Sequence, residues 1–197
     1  MADPGALIAG VDEAGRGPWA GPVVAAAVIL DPRNIPAGID DSKKLSARKR
    51  EYLYARLLES ARTGAGSASV AEIDAHNILG ATLLAMQRAV AALPATPSFL
   101  LIDGRHAPET PCPAETLIGG DGRSLSIAAA SIIAKVVRDR IMADLHTEFP
   151  VYGWNTNQGY GTKAHQAALL AHGPAPHHRI SFRPIHKMLC RESRISH

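Results

Sequence analysis

The chain predicts a layered α/β fold. Three observations carry that expectation. Short apolar runs of strand length are bounded by glycine, proline or a carboxylate; between them lie longer segments whose apolar residues recur at helical spacing; and the two kinds alternate along the chain. A length of 197 residues supports one substantial core, so a single compact unit is expected.

The first apolar runs, Leu7–Val11 and Val23–Leu30 (VVAAAVIL), are separated by glycine and proline, which predicts two buried strands joined by a loop. Ser46 is placed to cap a helix reaching about Ala61, because Tyr54, Leu57, Leu58 and Ala61 share one face while the opposite face is basic. Residues 64–69 read as a turn with room for a third strand. A helix from about Ala75 to Leu93 follows, with Leu79, Leu83, Met86, Val90 and Leu93 on one stripe, and Pro94 and Pro97 end it. Ser98–Asp103 (SFLLID) has the pattern of a fully buried strand that terminates in a carboxylate and a glycine, and Glu115–Ile118 is a short fifth strand. The sequence GGDGR then delivers Asp121 just before an alanine-rich segment, Leu125 to about Phe149. Its first half is apolar on most sides, which predicts a central, largely buried helix. Thr162–His172 reads as a last helix, stopped by Gly173 and Pro174. No internal repeat or low-complexity linker interrupts this order.

Composition narrows the function classes. No stretch offers the ~18 uninterrupted apolar residues of a membrane span, and MADPGALIAG lacks the basic start and apolar core of a signal peptide. A cytoplasmic protein with no membrane partner is expected. Cys112 and Cys190 form no CxxC pair, so neither a disulfide framework nor a cysteine zinc site is indicated. The net charge of +3 is unevenly spread: residues 160–197 hold six Lys or Arg against one acid, while the preceding part is slightly acidic. A basic end suggests contact with a polyanion, although a solvated basic tail gives the same pattern.

Asp12, Glu13, Asp103 and Asp121 each stand at or just beyond the end of an apolar segment. Strand ends of a layered α/β domain converge at one rim, so these four acids can meet there. Clustered carboxylates repel, and their ionised form is tolerated when hard cations such as Mg²⁺ or Mn²⁺ neutralise them. Any one of them read singly is also an ordinary turn former. Adjacent strand residues point to opposite sides, so Asp12 and Glu13 share a site only if the chain bends between or after them, and Gly15 and Gly17 make such a bend available. The stretch GRGPWAG does not match a dinucleotide-binding turn, because its spacing is off by one and a strand follows it. Its glycines leave a loop whose backbone can approach a ligand closely. Tyr160 reads either as a core aromatic or as a stacking platform for a sugar or base. His172, His177 and His178 match no zinc spacing and read as surface or phosphate-facing residues.

The motifs GVDEAGRGPWAGPVVAAAVIL, DDSKKLS, EIDAHNILGAT, LIDG, GGDGRSLSIAAASIIAKVVRD, YGWNTNQGYGTKAH and HHRISFRP resemble bacterial ribonuclease HII, in order and from about residue 7 to residue 187. The resemblance implies a ribonuclease H-like fold, with a five-stranded mixed sheet flanked by helices as a core over 1–149. A basic, helical substrate-binding extension over 150–197 completes a single compact unit. It implies an endonuclease that hydrolyses the RNA strand of RNA/DNA hybrids and cuts on the 5′ side of single ribonucleotides embedded in duplex DNA, leaving 5′-phosphate and 3′-hydroxyl ends. Ribonucleotide removal and RNA primer processing in DNA repair and replication follow as roles, with a monomer expected.

By motif, Asp12, Glu13, Asp103 and Asp121 become the metal-binding catalytic carboxylates for two Mg²⁺ or Mn²⁺ ions. Asp12 is expected to bridge both ions, with Asp121 on the water side and Glu13 with Asp103 on the leaving-group side. Gly15, Arg16 and Gly17 would contact the ribose 2′-hydroxyl largely through backbone groups, while Tyr160 packs on the adjoining deoxyribose. A Cβ at either glycine is expected to block that approach. Lys43, Lys44, Arg179 and Arg183 are candidate phosphate contacts, and each also fits a solvated surface charge. Ser131 and Lys135 fit either support of the site or direct contact. Gln158 departs from the lysine common in the family, which is expected to weaken salt-dependent affinity slightly. The end of the chain, CRESRISH, shows no obvious clamp-binding tail. A binding module that keeps the fold without cleaving would not need all four acids, and a nuclease for DNA junctions would not need the GRG loop with Tyr160.

Overall fold

The computed structural model describes residues 6–195, with side chains described as far as Cys190. In chain order it contains β1 (Ile8–Ala14), β2 (Val23–Leu30), α1 (Ala47–Ser60), β3 (Ala61–Ala68), α2 (Val70–Ala91), β4 (Phe99–Asp103) and β5 (Ala114–Leu117). A 3-10 turn at Gly120–Gly122 then precedes α3 (Leu125–Glu148), α4 (Trp154–Asn157), α5 (Lys163–His172) and α6 (Arg183–Ile195). The strands form one mixed sheet in the order β3-β2-β1-β4-β5. β1, β2 and β3 pair antiparallel, and β4 and β5 extend the sheet in parallel from β1. This is the five-stranded mixed sheet that the resemblance implied.

Strand periodicity sorts β2 between two cores. Ala25, Ala27 and Ile29 face α2, where Ile73, Ala85, Met86 and Ala89 cover them. Ala26 and Val28 face Leu53 and Leu57 of α1 and the apolar stretch Ala129–Ala134 of α3. With helices on both faces, β2 can be apolar at every position, as a half-exposed strand cannot. A third cluster joins Met142 of α3 to Ala20, Tyr152, Trp154, Leu169 and Ile185. It fixes the loop after β1 and the C-terminal helices to the end of α3.

Four elements differ from the sequence expectation, and the short α4 has no counterpart in it. β1 continues past Val11 to Ala14, because β2 supplies ladder partners for Asp12, Glu13 and Ala14. β3 starts directly at Ala61, and Gly64 and Gly66 lie within it where the backbone of α2 comes too close for a Cβ. α2 starts at Val70 under a capping box of Ser69 and Glu72. It is interrupted at Asn77, whose Oδ1 accepts from the N–H groups of Leu79 and Gly80 and so caps the second half anew. Finally, α5 is not the last helix. The signal for α6 is present: Pro184 in its first turn, then Ile185, Met188 and Leu189 at i, i+3, i+4. The side chains of the expected clamp-free tail after Cys190 lie outside the described residues.

Candidate active site

Parallel pairing of β1 with β4 ends at Val11 and Ile102, so the next residue on each strand, Asp12 and Asp103, stands at the same C-terminal rim. Glu13 follows on β1. Asp121 is brought to this rim by the 3-10 turn, because the N–H of Gly120 donates to Asp103 Oδ1 at 2.7 Å. The chain does not leave its ladder between Asp12 and Glu13; the bend comes afterwards at Gly15, with φ +97.

The electrostatics of this rim are unfavourable for bare carboxylates. Asp12 is 4% exposed and accepts one hydrogen bond, from the N–H of Glu13 at 2.7 Å. Burial, followed by repulsion from Glu13 and Asp103 and later from Asp121, pushes its carboxyl well above the usual range. Glu13 is also raised, by burial first, with Arg16 pulling in the other direction from 3.6 Å. Lys43 lies 3.4 Å from Asp121; burial works against its charge, but Asp121, Asp41 and Asp12 outweigh it and raise its pKa. All four acids are thus tied into one field. Among the described residues, no three acid, histidine or cysteine side chains already form a metal cage. Arg16 and Lys43 supply the nearest positive charge.

Around the acids lies a cleft of about 260 Å³ whose lining includes Gly15–Gly17, Lys43, Lys135, Arg138 and Tyr160. A larger cavity of about 390 Å³ near Leu7 and Ile29 has only a paired Asp31 and Arg33 with other surface charges at its mouth, and no comparable acid cluster. Tyr160 is half exposed, so it is a wall of the cleft and not part of the core. Ser131 serves as support: its hydroxyl accepts from Ser42 N–H at 3.2 Å and so anchors the segment carrying Lys43 to α3. Lys135 pairs with Asp139 on its own helix. Lys44 pairs with Asp40, and Arg183 is exposed at the start of α6.

Two expectations need correction. Arg179 is not a solvent-facing phosphate contact. Its guanidinium is fully buried and donates to the carbonyls of Gly15, Arg16, Gly21 and Pro22, which leaves the fork committed to the loop. His178 is neither surface nor phosphate-facing; it is buried with its Nε2 3.0 Å from that of His165, while His177 packs edge-on against Phe149 and Trp154. Separately, the two glycines of the GRG loop differ in what surrounds them inside the protein. A Cβ at Gly15 would collide with Arg138, and its φ is positive, whereas a Cβ at Gly17 would meet only the Tyr160 ring, at an ordinary 3.5 Å.

Arg138 is the site residue that sequence reasoning missed. It is 1% exposed and reaches from α3 to three loop carbonyls. Its signal was positional: Ser131, Lys135 and Arg138 fall at i, i+4 and i+7, one polar stripe along the mostly apolar stretch that precedes Asp139.

The family model described as Ribonuclease HII matches residues 9–185, a span that includes all four acids, the Gly15–Gly17 loop and Tyr160. Ribonuclease HII of Ruegeria pomeroyi is 61% identical over 186 residues, covering 94% of this chain and 80% of that protein. The crystal structure of ribonuclease H2 from Pyrococcus horikoshii OT3 matches with a TM-score of 0.79 at 26% identity, over 93% of this chain and 97% of that one. Bst-RNase HIII in complex with Mn²⁺ matches with a TM-score of 0.71 at 20% identity, over 96% and 71% of the two chains, a likeness of fold alone. No described helix is long and apolar enough to cross a membrane. With this agreement in sequence over nearly its whole length, and in fold as well, the chain belongs to the ribonuclease HII family and is a ribonuclease H enzyme.

Proposed function

We propose that the enzyme hydrolyses the RNA strand of RNA/DNA hybrids and cuts duplex DNA on the 5′ side of a single embedded ribonucleotide, leaving 5′-phosphate and 3′-hydroxyl ends. The observation that carries this reading is the buried Asp12, held against the fields of Glu13, Asp103 and Asp121. Such a donor set fits divalent cations: all its ligand atoms are hard oxygens, and a bound cation would relieve both the burial and the mutual repulsion. Asp12, Glu13, Asp103 and Asp121 would hold two Mg²⁺ or Mn²⁺ ions, as the Mn²⁺ complex of the distantly related Bst-RNase HIII encourages. When bound, such ions supply an activated water and stabilise the leaving oxygen.

The remaining residues recognise the substrate. Backbone groups of Gly15–Gly17 test the ribose for its 2′-hydroxyl, the group that separates RNA from DNA. Tyr160, exposed beside Gly17, packs on the next deoxyribose and selects the RNA-to-DNA junction. Lys43, Lys44 and Arg183 contact the phosphates; such contacts position the duplex without reading sequence. Acting as a monomer, the enzyme would serve ribonucleotide removal and primer processing in DNA repair and replication.

The test is cleavage of a DNA duplex carrying one ribonucleotide by pure protein, with Mg²⁺ and with Mn²⁺. Cutting on the 5′ side is expected with at least one metal, and Asp103→Asn should abolish it. Absence of cutting with both metals overturns the reading. Tyr160→Ala should lose more on this substrate than on a uniform hybrid, and equal losses would remove the junction-reading role of the ring.

A further inference from the structure

Two loops carry the recognition groups of the cleft, and one side chain ties them together. The loop after β1 holds Gly15–Gly17, and the loop before α5 holds Tyr160. Arg138 donates from Nε to Pro22 O, from Nη2 to Ala20 O and from Nη1 to Gln158 O, each at 3.1 Å. The first two carbonyls belong to the loop after β1, and the third lies two residues before Tyr160. One other direct bond joins these segments, from Trp19 N–H to Gly159 O at 2.8 Å. Beyond it, the Trp19 ring of the first loop packs on Gly161 and His165 beside the second, contacts that fix distance more than angle. The rigid fork of Arg138 adds further fixed points and sets the orientation as well as the distance.

Burial of this guanidinium is costly, and no carboxylate among the described residues lies within ion-pair distance to offset it. Burial pushes its pKa down to about 10, so it stays a cation at neutral pH. Arg179 provides the contrast within the same region: it is equally buried, but all its loop contacts fall on Gly15, Arg16, Gly21 and Pro22. It braces one loop; Arg138 bridges two.

We propose that Arg138 is a positioning residue for junction specificity, holding Tyr160 at a fixed distance and angle from the Gly15–Gly17 loop so that a ribose and the following deoxyribose are read together. The inference rests on the junction reading proposed above. Both a uniform hybrid and a junction present a 2′-hydroxyl to Gly15–Gly17, but only the junction needs Tyr160 in register with it. Loosening the bridge should therefore cost the junction substrate selectively, whereas loosening Arg179 should cost both substrates alike.

The experiment measures kcat and KM for wild type, Arg138→Lys, Arg179→Lys and Tyr160→Ala on a single-ribonucleotide duplex and on a uniform hybrid, with thermal unfolding of each protein alongside. For Arg138→Lys, which keeps the charge and loses the fork, the junction-to-hybrid ratio of kcat/KM should fall about tenfold, chiefly through KM on the junction. Arg179→Lys should leave that ratio unchanged. A change in Arg138→Lys that is equal on both substrates, or no change at all, overturns the proposal. If Arg138→Lys does not fold, Gly159→Ala disturbs the same spacing from the opposite side, since its Cβ would stand 2.6 Å from Ala20 O. It should show the same selective loss, and an equal loss on both substrates again overturns the proposal. A wild type that leaves the junction uncut defeats the functional reading and this one with it. A ratio that responds to Tyr160→Ala but not to Arg138→Lys or Gly159→Ala defeats this one alone.

Discussion

Asp12 shows how function sets a residue against stability. Its carboxylate is buried at the end of a paired strand, and the largest influence on it is desolvation, followed by like charge from Glu13 and Asp103. Asp12→Asn preserves the acceptor for the Glu13 N–H while removing the charge. The variant is expected to be inactive yet more stable than wild type by about 1 kcal/mol, measured by denaturant unfolding at neutral pH. The pH dependence has a definite sign. Asp12 and Glu13 both have folded pKa values raised above the unfolded ones, so the folded state holds their protons more tightly. Their contribution is most favourable below the ordinary carboxylate value near ~4 and is lost as pH rises through the raised folded values. Added Mg²⁺ should accordingly raise the unfolding temperature at pH 7 by several degrees and by less at pH 5, where protons compete, and chelation should reverse the gain. An equal Mg²⁺ shift in Asp12→Asn would show that the ion acts elsewhere.

At the scale of elements, the site depends on how closely α3 lies on β1. Gly10 makes that approach possible: a Cβ there would run into the backbone of Ser126 and Ile127 in the first turn of α3. This helix begins just after the turn that carries Asp121, and the turn is tied to Asp103 through Gly120. Gly10→Ala should therefore cost about 1–3 kcal/mol in unfolding free energy and also lower cleavage activity, because the Asp121 turn must move with the helix. A stability loss with unchanged kcat would separate the packing from the site. The same elements show what the sequence made legible. β2 and α3 could be read because their apolar runs are long enough to announce burial on their own, α1 because Ser46 caps it, and α5 because Gly173 and Pro174 stop it; β4 was read as fully buried, but only Leu100 and Ile102 are, and Phe99 and Leu101 stay half-buried. β3 was obscure because ARTGAGSA has little intrinsic strand character; pairing with β2 and the close backbone of α2 make it a strand. The four acids were visible at the ends of apolar runs. The burial of Arg179 and His178 was not, since an arginine or histidine in sequence carries no mark of whether tertiary packing will bury it, and Arg138 was marked only by its place on the polar stripe of α3.

Over the whole molecule, charge is divided between an acid-lined cleft and a basic C-terminal region, and binding of a polyanion must reconcile the two. Neutralised phosphates release condensed counterions, so each true phosphate contact adds to the salt dependence of binding, and a buried arginine committed to carbonyls does not. This separates the basic residues that the sequence grouped together. Lys44 and Arg183 are exposed, Lys43 is mostly exposed beside Asp121, and Arg179 is fully buried with its fork satisfied. The measurement is hybrid affinity against salt concentration, using the inactive Asp103→Asn protein with Mg²⁺ so that binding is read without cleavage. Arg183→Gln and Lys44→Gln are each expected to lower the logarithmic slope by about 1. Arg179→Lys should leave it unchanged. Gln158 supplies the converse case: at the end of α4, just before Tyr160, its side-chain amide donates back to the carbonyl of Asn155. Gln158→Lys should steepen the slope by about 1 and tighten hybrid and plain duplex DNA by similar factors, because a phosphate contact adds affinity without discrimination. A gain confined to the hybrid would instead place that position among the groups that read the sugar.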